Sequence, residues 1–373
     1  MTGGKRRSFT AVKPQEPMMC AAHTTTPAPD PGAWPRGQAV AVLGAYGHTG
    51  RFVVAELLRR GATPVLVGRD REKLDGLRAL APDAPTRLAS IEDPASLDRA
   101  LDGVAAVVNC AGPFLATTRP VADAALRAGI PYLDVAAEQA VTAALFDTYD
   151  DRAREAGVII VPSVAFYGAL GDLLATAALG AWPDADEITL VYGLDSWLPT
   201  LGSRLTGKSN AGQQLVYSGG KLGPFDYTPS VFPWDFPEPL GRQDASPFAT
   251  ADQVTLPRHV RTPEVRGVMN LVPLRDVRDP DTPAPVPADA AGRSAQTFLV
   301  EAIVRRGQET RRAVAGGQDI YAVTAPLVVE ALARILDGRC TATGVVATGE
   351  AFDAPGFLRA LTPDHLTRLD LPA

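Results

Sequence analysis

Three glycines at every third position, Gly44, Gly47 and Gly50, form the part of this sequence whose spacing points most directly to a ligand. Between a strand and a helix, such glycines permit a sharp turn, close approach of backbone to a pyrophosphate, and tight packing of helix on strand. The helix N-terminus then faces the phosphate charge. The pattern predicts a dinucleotide site, and the alternative is a tight turn that binds nothing. The predicted binding residues here are Gly44, Tyr46, Gly47, His48, Thr49 and Gly50.

The residue after the second predicted strand bears on the choice of cofactor. A site for NAD usually carries an acidic side chain there, bonded to the ribose 2'-hydroxyl, but in this sequence Arg69 comes first and Asp70 follows. A guanidinium makes paired bonds to a phosphate and stacks on adenine, whereas Asp70 suits the N-cap of the next helix. We therefore expect NADP(H), and the other interpretation of Arg69 is a solvated strand end.

A third segment with binding potential follows the apolar run 104–109. Ligands of open α/β sheets bind at the carboxyl ends of the strands, so the backbone after this run is expected to line the nicotinamide ribose. The thiol in it is of interest by position, and the alternative is a small buried apolar residue without reactivity. The predicted residues of this loop are Asn109, Cys110, Ala111, Gly112 and Pro113.

A nicotinamide cofactor carries the hydride itself, so the protein has to orient the acceptor and supply a proton. We expect Glu138 and Tyr167 to do so, because each follows a core strand and each can hold a transferable proton. The alternative for Glu138 is a capping box with Asp134 as N-cap. The alternative for Tyr167 is packing between two domains.

Short apolar runs that alternate with helical stretches must position these residues, and this alternation is typical of βαβ units. The predicted fold class is α/β: a Rossmann doubly wound parallel sheet, with a second α+β domain inserted before a C-terminal helix that returns to the first. The predicted domains are a disordered tail (1–36), the Rossmann domain (37–182), a substrate and dimerisation domain (183–320) and a C-terminal helical segment packing on the Rossmann domain (321–373). Helices are expected at 51–60, 71–80, 96–101, 120–128, 142–156, 172–179 and 325–336, and the proline-rich stretches 222–239 and 278–287 are expected to be loops.

Composition excludes several classes of function. A net charge of −6 lacks the basic surplus that nucleic acid requires, and no run of about 18 apolar residues is available to span a membrane. Three cysteines without a CxxC pair and four histidines without ligand spacing predict neither disulfides nor a metal site. A reducing cytoplasm is the expected location.

Three motifs in order resemble those of the saccharopine dehydrogenase-like oxidoreductases: the glycine turn, the Asn-x-x-Gly-Pro-Phe loop 109–114, and the Tyr-x-Asp-Val-x-x-Glu segment 132–138. The resemblance covers about the first half of the ordered chain, with weaker matches at Phe166, Asp172 and 319–321, the last expected to close against the cofactor domain. The sequence departs from the family at Ala137, usually glycine, and at 167–168, usually Asp-Ser.

The resemblance implies an NADP-dependent oxidoreductase that reduces a C=N or C=C bond of a small metabolite, with specialised metabolism as one setting. It also implies a homodimer. Two alternatives stay open: a non-catalytic NADPH-binding sensor, and an enzyme that keeps NAD(P) bound for a net non-redox reaction. In the second domain, the segment 208–210 and the arginines Arg258, Arg261 and Arg266 could bind a substrate carboxylate, or could form a solvated basic face.

Overall fold

The computed structural model describes residue 34 and residues 37–210, 212–225 and 230–372. The predicted tail, residues 1–36, lies outside the described residues except for Trp34, a buried residue whose indole N–H donates to the carbonyl oxygen of Gln38.

Strands and helices alternate through the first half of the described chain. Its elements are β1 (Ala39–Leu43), α1 (His48–Arg59), β2 (Thr63–Gly68), α2 (Arg71–Asp75), β3 (Thr86–Leu88), α3 (Pro94–Leu101), β4 (Ala106–Asn109), α4 (Phe114–Ala128), β5 (Tyr132–Asp134), α5 (Gln139–Glu155), β6 (Ile159–Val161) and α6 (Gly171–Leu179). The central strands are apolar and buried on both faces, as strands of a parallel sheet covered by helices must be.

Longer strands with few helices follow. These elements are β7 (Glu187–Leu194), α7 (Leu201–Ser209), β8 (Leu215–Ser218), β9 (Lys221–Pro224), β10 (Phe232–Asp235), β11 (Arg242–Pro247), α8 (Asp252–His259), β12 (Val265–Asn270), α9 (Leu271–Arg278), β13 (Thr297–Arg306) and β14 (Glu309–Gln318). The chain then continues with α10 (Thr324–Leu336), β15 (Gly344–Val345), α11 (Thr348–Ala351), α12 (Ala354–Ala360) and β16 (Leu366–Asp370).

The strands of the described chain form two sheets. The first is parallel, in the order β15-β6-β5-β4-β1-β2-β3, and it contains the 3-2-1-4-5-6 order of the Rossmann fold. The second is mixed, in the order β10-β11-β12-β7-β13-β14-β16, with β8 and β9 attached through β12. The predicted fold class, a Rossmann sheet followed by a second domain, is confirmed.

Two helices join the layers. Helix α6 packs against β13 and β14 of the second sheet, and α10 packs against α1 of the first. Between α1 and α10 the guanidinium of Arg60 bonds the carboxylates of Glu56 at 2.7 Å and Glu330 at 2.6 Å, and all three side chains are nearly buried. The chain therefore returns to both sheets after residue 318, through α10 and β15 to the first and through β16 to the second.

Several predicted boundaries of helices and strands are wrong. Helix α2 ends at Asp75, because Gly76 forms its C-cap and the chain continues in turns to residue 80. Helix α4 begins at Phe114, six residues before the predicted start, and contains Pro120. The stretch 222–239 includes parts of β9 and all of β10. Pro233 is tolerated there because β10 is an edge strand. Residues 279–287 carry no helix or strand, as predicted.

Candidate active site

The glycine turn joins β1 to α1 with little room for side chains. Gly44 has a φ of +77°, and a Cβ there would lie 2.9 Å from the backbone of Ala111. A Cβ on Gly50 would overlap the carbonyl oxygen of Gly44, whereas one on Gly47 would lie 3.1 Å from that oxygen. Gly44 and Gly50 are thus required for the fold of the turn. Gly47, which has no side chain, leaves the open face of the turn accessible to a ligand.

The start of α1 fits a pyrophosphate. Among the described residues, no acceptor receives the backbone N–H groups of His48, Thr49 and Gly50. No acidic residue occupies the first turn of this helix. Free N–H groups and the positive end of the helix dipole together attract phosphate oxygens. The predicted cofactor turn therefore has the donors that a dinucleotide needs.

The end of β2 presents a second set of groups. Arg69 is exposed and forms no hydrogen bond or ion pair with any described residue. The ring of Tyr46 lies over Gly68, and the ammonium of Lys73 lies 5.7 Å from the centre of that ring. Asp70 caps α2 by accepting the N–H of Lys73 at 3.1 Å, and this bond lowers the pKa of Asp70. The predicted N-cap is confirmed, and the guanidinium of Arg69 stays available to a ligand.

In the loop after β4, the side chain of Asn109 forms hydrogen bonds within the protein. Its amide donates to the hydroxyls of Thr117 at 3.2 Å and Tyr132 at 3.3 Å, and its oxygen accepts the N–H of Ala111 at 3.0 Å. Burial strongly raises the pKa of the Cys110 thiol, so this group stays protonated. Both side chains shape the loop, and its exposed backbone at Gly112 is the part that could contact a cofactor.

Asp134 ends β5 inside the protein, with 0% exposure. It accepts the N–H groups of Ser163 at 2.8 Å and Ala136 at 3.1 Å and the hydroxyl of Tyr132 at 2.9 Å. Burial raises the pKa of Asp134 to about 6, although the two N–H donors oppose this shift. Its contacts fix the backbone that follows β5 and β6.

Glu138 is also fully buried, and its carboxylate binds three donors. These are the N–H groups of Phe114 and Ala137, each at 3.1 Å, and the hydroxyl of Thr206 at 3.2 Å. The predicted capping box is wrong, because Glu138 is itself the residue before α5 and its side chain makes no cap bond to that helix. Its carboxylate instead ties the loop before α4 to helix α7 of the second domain.

Tyr167 lies in a wide turn, Phe166–Leu170, that leads into α6. The next residue must be glycine, since Gly168 has a φ of +143° and a Cβ would overlap the carbonyl of Ser163. The Tyr167 ring packs 5.4 Å from Trp197 and 5.5 Å from Phe248, between centroids. This packing between the two domains matches the alternative interpretation of Tyr167.

The hydroxyl of Tyr167 has a second property. The side chain is 9% exposed, and in the described part of the chain no group bonds its hydroxyl. Burial raises the pKa of Tyr167 well above that of an ordinary phenol, so the group is neutral. A buried polar group left without a partner costs about 1–3 kcal/mol, and a bound acceptor would remove that cost.

Tyr321 brings the cofactor turn and the second domain together. Its ring meets that of His48 edge-on, with centroids 5.2 Å apart. Its hydroxyl bonds the indole N–H of Trp197 at 3.0 Å, the N–H of Thr200 at 3.3 Å and the hydroxyl of Ser203 at 2.8 Å. The contact with His48 is of the kind expected for the segment 319–321.

No sequence motif marks Trp197, Ser203 or Thr206 as site residues, although they contact Tyr321 and Glu138 from the second domain. The basic residues for which carboxylate binding is one interpretation are paired with acidic side chains or exposed. Arg258 pairs with Asp147 at 3.0 Å and Arg266 with Glu187 at 3.1 Å, and Lys208 is exposed on α7.

A buried polar cluster adjoins the aromatic side chains. The hydroxyl of Tyr192 donates to Asp252, and the ring of Tyr192 lies 5.3 Å from that of Tyr167. Asp172, in the first turn of α6, bonds the imidazole of His259 at 2.8 Å. Among the described residues, no group of three or more His, Cys, Asp and Glu could hold a metal ion. The described helices are too short or too polar to cross a bilayer.

Comparison with known proteins gives a consistent result for the first domain. Residues 40–161 match the family model for the saccharopine dehydrogenase NADP binding domain. A bovine protein named saccharopine dehydrogenase-like oxidoreductase is 31% identical over 150 residues, which are 35% of this chain and 35% of that protein. A Mycobacterium bovis protein named trans-acting enoyl reductase is 28% identical over 140 residues, 36% of this chain and 34% of that protein.

The apo structure of saccharopine dehydrogenase (L-Glu forming) from Saccharomyces cerevisiae is similar in fold. It superposes with a TM-score of 0.62 over 90% of this chain and 100% of that one, at 13% identity. The chain covers about a third of the length of the two curated relatives. The resemblance drawn from the three motifs and the prediction of NADP(H) as cofactor are both confirmed.

Proposed function

Because residues 40–161 form an NADP-binding domain of the saccharopine dehydrogenase type, we propose that this chain is an NADP(H)-dependent reductase of a C=N or C=C bond in a small metabolite. The observation that carries the proposal is the neutral, unpartnered phenol of Tyr167. Ring contacts and one hydrogen bond connect it to the cofactor turn, from Tyr167 to Trp197, Tyr321 and His48.

The cofactor would be held by three parts of the first domain. The N–H groups at the start of α1 would bind the pyrophosphate, Arg69 would bind the 2'-phosphate of the adenosine, and the backbone of the loop 110–113 would line the nicotinamide ribose. Tyr46 lies over Gly68, the residue before Arg69, with Lys73 near its ring. The exposed, unpaired state of Arg69 supports its assignment.

Bound NADPH supplies a hydride to one atom of the double bond. Tyr167 holds a proton and releases it to the other atom, and the phenolate recovers a proton from water. A phenol that stays neutral can act in this way only if a substrate atom reaches its hydroxyl. The absence of any described partner for that hydroxyl supports the role.

Glu138 has a different role from the one first expected. Its carboxylate already accepts from Phe114, Ala137 and Thr206, so we assign it to holding the loop and α7 in position. Tyr167 is then the proposed proton donor, and Glu138 is a positioning residue.

The acceptor is proposed to be apolar or planar, because the side chains packed around Tyr167 include the rings of Trp197 and Phe248. The name of the mycobacterial relative, an enoyl reductase, supports inclusion of C=C acceptors. An NADPH-binding sensor is the second candidate function, favoured by the saturation of Glu138. We also propose a homodimer in the cytoplasm, and light scattering of the purified protein tests the dimer.

The test is NADPH oxidation in the presence of imines and enoyl thioesters. Tyr167→Phe should lower turnover by about 100-fold or more, as expected for loss of a general acid, with NADPH binding unchanged. Tyr217→Phe is the matched control, because this tyrosine lies half-buried on β8. Tight NADPH binding without oxidation on any acceptor would favour the sensor. Equal turnover in Tyr167→Phe and wild type would reject Tyr167 as the proton donor.

A further inference from the structure

Tyr321 contacts two parts of the molecule that have to act together. Its ring lies against His48, the first residue of α1 and part of the cofactor turn. Its hydroxyl bonds Thr200 and Ser203, at the start of α7. One side chain thus joins the cofactor turn to the second domain.

The backbone holds Tyr321 in place. Asp319 has a φ of +60°, and its carboxylate accepts the N–H groups of Tyr321 at 2.9 Å and Ala322 at 3.0 Å. The other oxygen of the same carboxylate accepts the N–H of Ser294 at 2.7 Å. The tyrosine is therefore mounted on a fixed turn, and its hydroxyl has a defined position.

Helix α7 is held mainly by polar contacts. It contains no buried residue, and Leu201 at its start is 73% exposed. Its links to the rest of the described chain include those to Tyr321, the bond from Thr206 to Glu138, and the bonds from Arg204 to the carbonyls of Asp279 and Thr282. A nine-residue helix without apolar packing is marginal on its own.

Helix α7 lies next to the loop that follows β4. A Cβ on Gly112 would lie 3.7 Å from the hydroxyl of Thr206, so α7 borders the loop proposed to line the nicotinamide ribose, while Gly112 itself is exposed. The start of α7 is held by Tyr321 and its middle by Glu138. These two attachments keep the helix beside this loop.

We propose that Tyr321 is a positioning residue that couples NADP(H) at the glycine turn to attachment of α7 beside the nicotinamide end. This inference rests on the proposed function only through the cofactor. The N–H groups of α1 would hold the pyrophosphate, which would fix the first turn of that helix and with it the ring of His48. His48 then holds the ring of Tyr321, and the hydroxyl favours the attached state of α7. A ligand shifts such an equilibrium by its differential contacts with the two states.

The experiment is limited trypsin digestion of the full chain with and without NADPH, with cleavage after Arg204 and Lys208 followed by mass spectrometry. In the wild type, NADPH should slow both cleavages by about tenfold, within the usual range of coupling between two sites. Tyr321→Phe keeps the ring against His48 and removes the hydroxyl. It should bind NADPH within about threefold of wild type and lose the protection at both sites, as expected when the coupling is broken.

Tyr217→Phe is the control for loss of a tyrosine hydroxyl. In this variant NADPH should protect both cleavage sites as it does in the wild type. Tyr321→Leu should lose the protection and also weaken NADPH binding, because the ring contact with His48 disappears. NADPH binding that leaves cleavage in wild type unchanged, or full protection in Tyr321→Phe, would overturn the coupling alone. No NADPH binding in the wild type would overturn the cofactor assignment and the coupling with it.

Discussion

The hydroxyl of Tyr192 lies 2.5 Å from a carboxylate oxygen of Asp252, and both residues are fully buried. Burial, with a smaller contribution from the nearby Asp172, raises the pKa of Asp252 to about 7, although the hydrogen bond from Tyr192 opposes the shift. The second oxygen of Asp252 and one oxygen of Asp172 receive no hydrogen bond within the described chain. The interior beside Tyr167 therefore contains a carboxyl group that is protonated in part near neutral pH.

Because of Asp252, we expect the stability of the protein to depend on pH. Its folded pKa lies above the ordinary value of 3.8, so the folded state binds more protons, and stability falls as pH rises from about 4 to 7. Asp252→Asn should lose a slope of at most about 1.4 kcal/mol per pH unit in this window. Chemical unfolding of both proteins at several pH values measures the difference. Parallel curves for the two proteins would contradict the protonated state.

His259 gives a second prediction. Burial disfavours its charge, but the Asp172 carboxylate outweighs burial and raises the pKa of His259 above 6.5. Its stabilising charge is present below the unfolded pKa and is lost as pH rises through the folded one. His259→Gln should lower the free energy of unfolding by about 3–5 kcal/mol at pH 6, as for a broken buried pair, and by less at pH 9. A loss independent of pH would show that the imidazole is neutral throughout.

Arg69 should decide between the two nicotinamide cofactors. Arg69→Ala removes a phosphate partner worth about 1.5–3 kcal/mol, so NADPH binding should weaken by more than tenfold while NADH binding stays unchanged. Calorimetric titration with both cofactors measures this. Arg71→Ala is the control, since Arg71 is an exposed neighbour on α2. Equal losses for NADPH and NADH in Arg69→Ala would reject contact with the 2'-phosphate.

Glu138 should behave as a structural carboxylate. Glu138→Gln replaces an acceptor of three donors by an amide that can accept on one side only. Thermal and chemical unfolding should show a loss of about 1.5–3 kcal/mol, the range for hydrogen bonds to a charged group. Turnover should fall less than in Tyr167→Phe. If stability is unchanged and turnover disappears, Glu138 is the proton donor.

The sequence predicted the first sheet well because its information is local. Apolar runs such as 39–43 mark buried strands, and Gly44 with Gly50 marks the turn that follows, since each position admits no side chain. The start of α4 was missed for the opposite reason. The N–H of Phe114, the first residue of α4, donates to Glu138, which is 24 positions away. No local sequence pattern indicates this bond.

The part of the candidate site that comes from the second domain cannot be predicted from local sequence patterns. Tyr321 reaches Ser203 across 118 positions, and Thr206 reaches Glu138 across 68. Such contacts depend on how the two sheets are joined, which periodicity does not encode. The weak family match at 319–321 was the one available signal, and it indicated the segment without indicating its hydrogen bonds.

The strand pairings of residues 344–370 have a consequence for biosynthesis. The short strand β15 borders β6 of the first sheet, and β16 covers the outer edge of β14 in the second. Until this segment has left the ribosome, both sheets present an open edge that can pair with other chains. We therefore expect nascent chains in which this segment has not yet emerged to depend on chaperones until both edges are paired.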